Sequence, residues 1–288
     1  MQSKLSPLDV RLQSPVGLIA GNGTFPIEFT ENARKSGLSV VAIAHRGETD
    51  PALEKLVDSC TWIKVGQLGK IIKVLKKSGV KQAAFAGGIR RTRLFGGVKL
   101  DLRALSLIAR LKSVKDDVLL RGIAEELEIS GVEVFSPGLL LKDSLAGSGL
   151  LTKNMLSRQQ IEDAVVGWEA AKAMGAMDIG QTVLTADGII IAVEAVEGTD
   201  EAIKRGGKLA EGKAVVVKVC KPQQDLRLDL PTIGLETIRI LKESKIKAIV
   251  IETAKTIILQ PDEVVRLAES HGIAIFAASS IEDLRRLL

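Results

Sequence analysis

The first half of the chain repeats one pattern: a short, mostly apolar run, then a segment of helical period, then another apolar run. "PVGLIAG", "LSVVAIA", "CTWIKV" and "QAAFAGG" are the runs, and "PIEFTENARKSG" and "LGKIIKVLKKSG" are the clearest helices between them. Runs of this kind leave no face for solvent, so each strand must be covered on both sides, as in a parallel sheet wrapped by crossover helices. Pro26 falls in the first turn of its helix, where a missing N–H breaks no hydrogen bond, and Gly37 stands at the stop. A short helix is expected from Pro51, and the segments "LDLRALSLIARLK" and "KDDVLLRGIAEELEISG" close this half as two more.

The pattern then changes. "FSPGLLLKDSLAGSGLLTKNML" is rich in Gly, Ser and Leu without a clear period, and reads as a crossing between domains. At Ser157 the spacing Ser-x-x-Gln160 is a capping box that opens the helix "RQQIEDAVVGWEAAKAMGA". "DIGQTVLT" and "IIIAVEAVEG", joined at Asp187-Gly188, read as a β-hairpin. A helix from Thr199, the strand "AVVVKVC", the helix "LETIRILKES", the strand "KAIVIE" and a last helix–strand–helix follow. The predicted fold is therefore α/β, with an N-terminal Rossmann-like parallel-sheet domain (1–134), a crossing (135–156) and a C-terminal mixed-sheet α/β domain (157–288).

Composition narrows the function classes. Aromatic residues make up 3% with no Tyr, which disfavours single-stranded nucleic acid bound by stacking. A net charge of +5, from 40 basic and 35 acidic residues, suits phosphorylated small molecules or an anionic surface better than DNA, so no nucleic-acid partner is expected. Cys60 and Cys220 sit singly in apolar strands and read as reduced core thiols of a cytoplasmic protein. "MQSKLSPLDVRLQ" has no apolar core of a signal peptide, and no apolar run is long enough to span a bilayer.

Four places carry candidate chemistry. The loop "GNGTFP" puts Gly21, Asn22 and Gly23 between strand and helix, where backbone N–H groups and the helix dipole suit a phosphate; a plain tight turn is the other reading. It lacks the third glycine of a dinucleotide fingerprint, and His45-Arg46 stand where a ribose-binding acid belongs. An NADP-dependent oxidoreductase, with Arg46 or His45 on a 2′-phosphate, is therefore a low-ranked alternative. "AGGIRRTR" brings Gly87, Gly88, Arg90, Arg91 and Arg93 to the end of a strand, where open α/β sheets bind ligands; a solvated charge cluster is the alternative. "AVEAVEGTD" carries Glu194, Glu197, Thr199 and Asp200, of which Thr199 and Asp200 are explained equally by helix capping, whereas Glu194 in an apolar strand is not. "KVCKPQQDLRLDLPTIG" supplies Lys218, Lys221, Asp225, Arg227 and Asp229. Two readings of that loop stand level: carboxylates that hold Mg²⁺ near a phosphate, or an Asp–Arg pair that braces an irregular turn with Thr232 capping the next helix.

Taken in order along the chain, "GLIAGNGTFP", the double glycine followed by basic residues, "MDIGQTVL", "AVEAVEGTD" and "KVCKPQQDLRLDLPTIG" resemble the LpxI family, UDP-2,3-diacylglucosamine diphosphatases of lipid A biosynthesis. The resemblance runs over nearly the whole chain. It implies a Mg²⁺-dependent hydrolase that cleaves an acylated UDP-sugar to UMP and 2,3-diacylglucosamine 1-phosphate, with water attacking the α-phosphorus. It also implies substrate between two domains and self-association; a cytoplasmic location with peripheral contact to the inner membrane is the expectation from the cysteines and from the basic helix described below. Carried over residue by residue, it places the catalytic, metal-associated carboxylate at Asp225, with Glu197 as a second metal ligand. Gln181, Glu194, Thr199 and Asp200 line the site, and Lys218, Lys221 or Arg227 neutralises phosphate charge. Gly21–Gly23, Gly87, Gly88 and Arg91 would take the nucleotide. Where the family usually has glycine in "KPGQD", this chain has Gln223.

A non-catalytic protein that binds nucleotide sugars or lipids is the main alternative to an enzyme, since it needs the glycine and arginine loops without the carboxylates. Two acyl chains also need a place. The crossing is expected to line an acyl groove. The helix "LDLRALSLIARLK" puts Leu102, Leu105, Ile108 and Ala109 on one side with Arg103, Arg110 and Lys112 partly opposed. Such a helix either packs on the sheet or lies on an anionic membrane.

Overall fold

The computed structural model describes residues 11–89, 99–111, 113 and 115–288. The basic stretch Arg90, Arg91 and Arg93, and Lys112, lie outside the described residues. The chain divides into two compact units, one reaching to Lys142 with Asp225–Asp229 added, the other comprising Asp143–Gln224 and Leu230–Leu288. The junction therefore lies inside the segment read as a crossing, and five residues of the later sequence belong with the first unit.

The first unit is built on β1 (Val16–Ala20), β2 (Val40–His45), β3 (Ser59–Ile63), β4 (Gln82–Ala86) and β5 (Glu133–Val134), in the order β3-β2-β1-β4-β5. Every pairing is parallel, and β1 and β4 align Ala20 with Ala86 so that both strands end level. The helices α1 (Phe25–Lys35), α2 (Leu68–Lys77), α3 (Leu102–Arg110) and α4 (Asp116–Ile129) complete it. The Pro51 segment is a 3₁₀ turn, Pro51–Lys55, capped by the Asp50 carboxylate on the Ala52 N–H. One face of the sheet packs Ile19, Val41, Ile43 and Phe85 against Ile71, Ile72 and Leu75 of α2 and Leu127 of α4. Burying each such side chain contributes about 1.5–3 kcal/mol. β5, two residues long, has too little pattern to read from sequence.

The second unit holds a six-stranded mixed sheet in the order β6-β13-β11-β9-β7-β8. Its strands are β6 (Gly149–Leu150), β7 (Thr182–Ala186), β8 (Ile189–Val193), β9 (Val215–Lys218), β11 (Ala248–Glu252) and β13 (Ala274–Ala278), with a separate parallel pair β10 (Thr232–Ile233) and β12 (Ile257–Ile258). β9, β11 and β13 run parallel, while β6, and the hairpin β7–β8, pair antiparallel. The helices are α5 (Arg158–Ala176), α6 (Thr199–Leu209), α7 (Leu235–Glu243), α8 (Pro261–Ser270) and α9 (Ile281–Arg285). Alternate residues of the central strands face opposite sides: Val216, Ile249 and Ile251 meet Ile203 of α6 and Ile238 of α7, whereas Val215, Val217 and Val250 meet Ala164, Trp168 and Ala171 of α5. That period-two division is why "AVVVKVC" and "KAIVIE" carry no polar face. The crossing is more ordered than its composition suggests, with 3₁₀ turns at Pro137–Leu139 and Lys142–Ser144 before β6 joins the sheet edge.

Two predicted local devices are present. Ser157 Oγ accepts from the Gln160 N–H and Gln160 Oε1 accepts from the Ser157 N–H, closing the capping box. Asp187 and Gly188 turn the hairpin with φ of 51° and 74°, both left-handed, as a two-residue type I′ turn requires.

Candidate active site

In the first unit, the level ends of β1 and β4 bring the two glycine loops together. The Gly21 N–H donates to Ala86 O at 2.8 Å and the Asn22 N–H to Gly88 O at 2.7 Å. A Cβ on Gly21 would lie 2.3 Å from Gly88 O, and one on Gly87 2.2 Å from Asn22 O. Gly21 and Gly87 are thus required by contact of loop with loop. Gly23, at φ 78° with open space around it, is the glycine that faces a cavity of about 820 Å³. Thr24, Arg46, Glu48, Asp50 and Trp62 also line that cavity. Helix α1 has no side-chain cap; Pro26 brings no N–H to its first turn, and the Ile27 and Glu28 N–H groups donate to Thr24 O.

His45 is a structural residue. It is buried, its Nδ1–H donates to Ala20 O at 2.8 Å, and burial lowers its pKa against the opposing pull of that bond and Glu48. Thr49 Oγ1 donates to the same carbonyl. A neutral, enclosed imidazole is a poor partner for a 2′-phosphate, which removes the histidine half of the nicotinamide reading.

Asp225 opens a tight turn in which the N–H groups of Leu228 and Asp229 donate to its carbonyl. Leu228 enters the core of the first unit, and Ser136 Oγ donates to Leu226 O at 2.9 Å. The Arg227 guanidinium clasps the Asp225 carboxylate, Nε to Oδ1 at 3.1 Å and Nη2 to Oδ2 at 2.7 Å, while Nη1 reaches Glu128 at 3.0 Å. Partial burial pushes the Asp225 carboxyl up, but the Arg227 side-chain bonds, the Arg227 N–H and the charges of Arg227 and Arg121 outweigh it, so the pKa is lowered. The bracing pair read from sequence is present, and it keeps the acid ionised. Thr232, by contrast, caps nothing: it lies in β10, its hydroxyl on Leu230 O, and Gly234 is the N-cap of α7.

In the second unit the predicted residues Gln181, Glu194, Thr199, Asp200 and Lys218 converge where β9 ends and α6 begins. Strand β8 stops at Val193, so Glu194 is not mid-strand. Its Oε1 accepts from Thr199 Oγ1 at 2.8 Å and its Oε2 from the Gln181 N–H at 3.3 Å. Lys218 Nζ donates to Thr199 Oγ1 at 3.2 Å and to Thr232 O at 3.0 Å. Thr199 is the first residue of α6 and does not cap it; Gly198 holds the cap position. Surrounding protein atoms raise the pKa of Asp200 despite its exposed edge, with Lys218 opposing and Glu236 and Glu194 adding to the rise. Among the described residues, Gln181 Oε1 is a buried acceptor with no hydrogen-bond partner.

Glu197 faces Arg205, Nη2 to Oε1 at 2.6 Å, and its pKa is lowered by its own backbone N–H and by Arg205. Lys221 forms a buried ion pair with Asp178 at 2.5 Å, the two side chains 5% and 6% exposed. Gln223, where glycine is usual in the family, donates from Nε2 to Gly175 O at 2.8 Å and ties the loop to the end of α5. Sequence reading missed Glu252, a carboxylate 2% exposed at the end of β11 that gathers Lys172 Nζ at 2.6 Å, Lys255 Nζ at 2.7 Å and the Cys220 N–H at 2.9 Å. Its terminal position in "KAIVIE" was the available signal. Among the described residues no three His, Cys, Asp or Glu side chains gather to hold a metal.

Comparison with known proteins draws on both halves. A model of the LpxI N-terminal domain matches residues 15–144 and one of the LpxI C-terminal domain matches 147–276. The chain belongs to the LpxI family. Its curated relative in Caulobacter vibrioides, "UDP-2,3-diacylglucosamine pyrophosphatase LpxI", is 30% identical over 278 residues, 93% of this chain and 98% of that one. The two LpxI models meet within a few residues of the Lys142–Asp143 junction, although Asp225–Asp229 of the C-terminal model packs in the first unit. Among solved structures, an ADP complex of N5-carboxyaminoimidazole ribonucleotide synthetase is 12% identical with a TM-score of 0.28 over 71% of this chain and 47% of that one. The biotin carboxylase subunit of pyruvate carboxylase is 15% identical with a TM-score of 0.26 over 70% and 42%. The chain spans less than half of each, and neither likeness carries a functional argument. Among the described residues no helix is long and apolar enough to cross a membrane.

Proposed function

We propose that the chain hydrolyses UDP-2,3-diacylglucosamine to UMP and 2,3-diacylglucosamine 1-phosphate, as a step of lipid A biosynthesis. The observation that carries the reading is near end-to-end similarity to the curated LpxI pyrophosphatase, 98% of whose length is matched. Water adds to the α-phosphorus, the bond from that phosphorus to the bridging oxygen breaks, and the bridging oxygen leaves on the sugar phosphate. The water's two protons pass to solvent or to a nearby base.

Chemistry of this type asks mainly for positioning and for charges placed where the phosphates gain them. Asp225 is ionised at neutral pH because Arg227 holds its pKa low, so it accepts a bond from the attacking water and orients it. Arg227 supplies cationic charge beside Asp225; in the second unit Lys218 is the candidate for that role, since Lys221 holds Asp178. Within the first unit, the cavity at Gly23 takes the nucleoside end.

The donor set fits Mg²⁺ only in the manner usual for that ion, one or two carboxylates completed by substrate oxygens and water. Three Arg227 donors make four contacts with the Asp225 carboxylate, two on each oxygen, so an ion there would share those oxygens with Arg227. Asp225 would hold the ion, with Glu197 the weaker candidate given its bond to Arg205. Bound there, Mg²⁺ would offset the diphosphate charge.

The test is Asp225→Asn. Turnover of UDP-2,3-diacylglucosamine should fall by at least ~10³-fold, while substrate affinity stays near that of the unaltered chain. Retained turnover removes Asp225 from the chemistry. Affinity without any release of UMP by the unaltered chain would favour the binding-protein alternative.

A further inference from the structure

Of the two readings of helix α3, packed on the sheet or facing an anionic surface, the structure leaves its leucine face exposed. Leu102 and Leu105 are 86% and 50% exposed, and Ser106 and Ala109 extend the same uncharged stripe at helical spacing. The buried contacts are instead made by Ala104 and Leu107. Two arginines fix this orientation: Arg103 and Arg110 both bind the Glu126 carboxylate of α4, and Arg103 also reaches Ser130. At the other end Asp101 caps α3 on the Ala104 N–H at 2.9 Å and accepts the Gly69 N–H of α2 at 2.7 Å.

Immediately beside that junction lies a cavity of about 320 Å³ lined by Arg46, Trp62, Lys64, Gln67, Lys70 and Lys99, with Ile63 at its base. All four charged lining residues are basic and exposed, and among the described residues none of them forms an ion pair. Among the nearby acids, Glu126 is bound by two arginines, whereas Glu48 meets the Asn22 amide, Asp50 the Ala52 N–H, Glu54 the Trp62 indole and Asp101 two backbone N–H groups. Helix α2 continues the basic surface with Lys73, Lys76 and Lys77, exposed, on a helix that contains no acid.

An exposed leucine stripe next to unpaired cations is the composition of an interfacial element: apolar side chains enter the headgroup layer and cations meet lipid phosphates. We propose that this face of the first unit docks on an anionic phospholipid bilayer, with Leu102 and Leu105 inserted and Lys64, Lys70 and Lys99 of the pocket seated on headgroup phosphates. The excess of positive charge selects the bilayer over a second copy of the chain, because a copy would bring the same cations against themselves. The proposal stands without the hydrolase reading, since its test uses no substrate.

The full chain is floated with vesicles of phosphatidylcholine containing phosphatidylglycerol, and with vesicles of phosphatidylcholine alone, at low and at high salt. Flotation is expected with the anionic vesicles at low salt, and to weaken with salt and with loss of the anionic lipid. Replacing Lys70, Lys73 and Lys99 by Gln should lower the partition coefficient on the order of 100-fold. Leu102→Ser with Leu105→Ser should lower it at least ~10-fold. Circular dichroism and thermal melting establish that both variants fold. Absence of flotation, equal flotation on neutral vesicles, or unchanged flotation of either variant overturns the proposal. So does a dimer in sedimentation velocity that the two serines convert to monomer.

Discussion

Replacing Lys221 by Met separates an anchoring role for this lysine from a catalytic one. Lys221 and Asp178 meet at 2.5 Å with both side chains almost fully enclosed. At an effective dielectric constant of 20 the two charges attract by about 7 kcal/mol, but the desolvation of both offsets most of that gain. What a single substitution measures is chiefly the charge left behind. Lys221→Met strands the Asp178 carboxylate in a buried place, which should destabilise the second unit by about 3–5 kcal/mol. Adding Asp178→Asn removes the stranded charge, and Asn tolerates the φ of 60° found there. The double variant should regain a coupling energy of about 2–3 kcal/mol. Urea unfolding followed by circular dichroism gives these values, fitted with a separate transition for each unit. A single-variant cost under about 1 kcal/mol, or a double variant no more stable than the single, refutes the reasoning. If the pair only anchors, the double variant also turns over substrate within about tenfold of the unaltered chain; a far larger loss would assign Lys221 to the phosphates.

Other consequences are equally direct. Gly87→Ala should cost about 2–4 kcal/mol, because its Cβ would meet Asn22 O at a left-handed φ, whereas Gly23→Ala, with open space, should cost about 1–2 kcal/mol; thermal unfolding ranks the two. The folded-state pKa of Asp225 lies below its unfolded value, so its contribution is present above that value and lost as pH falls. The stability gap between the unaltered chain and Asp225→Asn, about 0.5–1 kcal/mol at pH 7 for so exposed a pair, should close below about pH 4. Burial pushes the Cys60 thiol up to about 11, with Glu54 adding to the rise, so alkylation by iodoacetamide at pH 8 should be far slower than for a free thiol.

What sequence reveals here depends on the distance over which the cause acts. The Ser157 capping box and the Asp187-Gly188 turn are made by residues three apart or adjacent, and both were legible. So was the sheet of the first unit, since an apolar run has one way to be buried. Lys221 was named for its charge, but its partner Asp178 lies 43 residues away and gave no signal. The same holds for the turn at Asp225: its Arg227 partner is two residues on, while Glu128 and Ser136, which fasten it to the first unit, are 99 and 90 residues from their partners. The glycines were legible by position, but the contact of Gly21 with Gly87 was not, because it is set by two strands ending level. On α3 the apolar spacing was seen, yet periodicity alone does not say which of two apolar stripes packs; Ala104 and Leu107 do so because Arg103 and Arg110 turn toward Glu126.

The most direct measurement of the hydrolase account is incubation with UDP-2,3-diacylglucosamine in ¹⁸O-water, with and without Mg²⁺, followed by mass spectrometry of both products. The account predicts one ¹⁸O atom in UMP, none in the sugar phosphate, and a rate that depends on Mg²⁺. Label in the sugar phosphate would move the attack to the β-phosphorus, and absence of UMP would contradict the proposed activity itself.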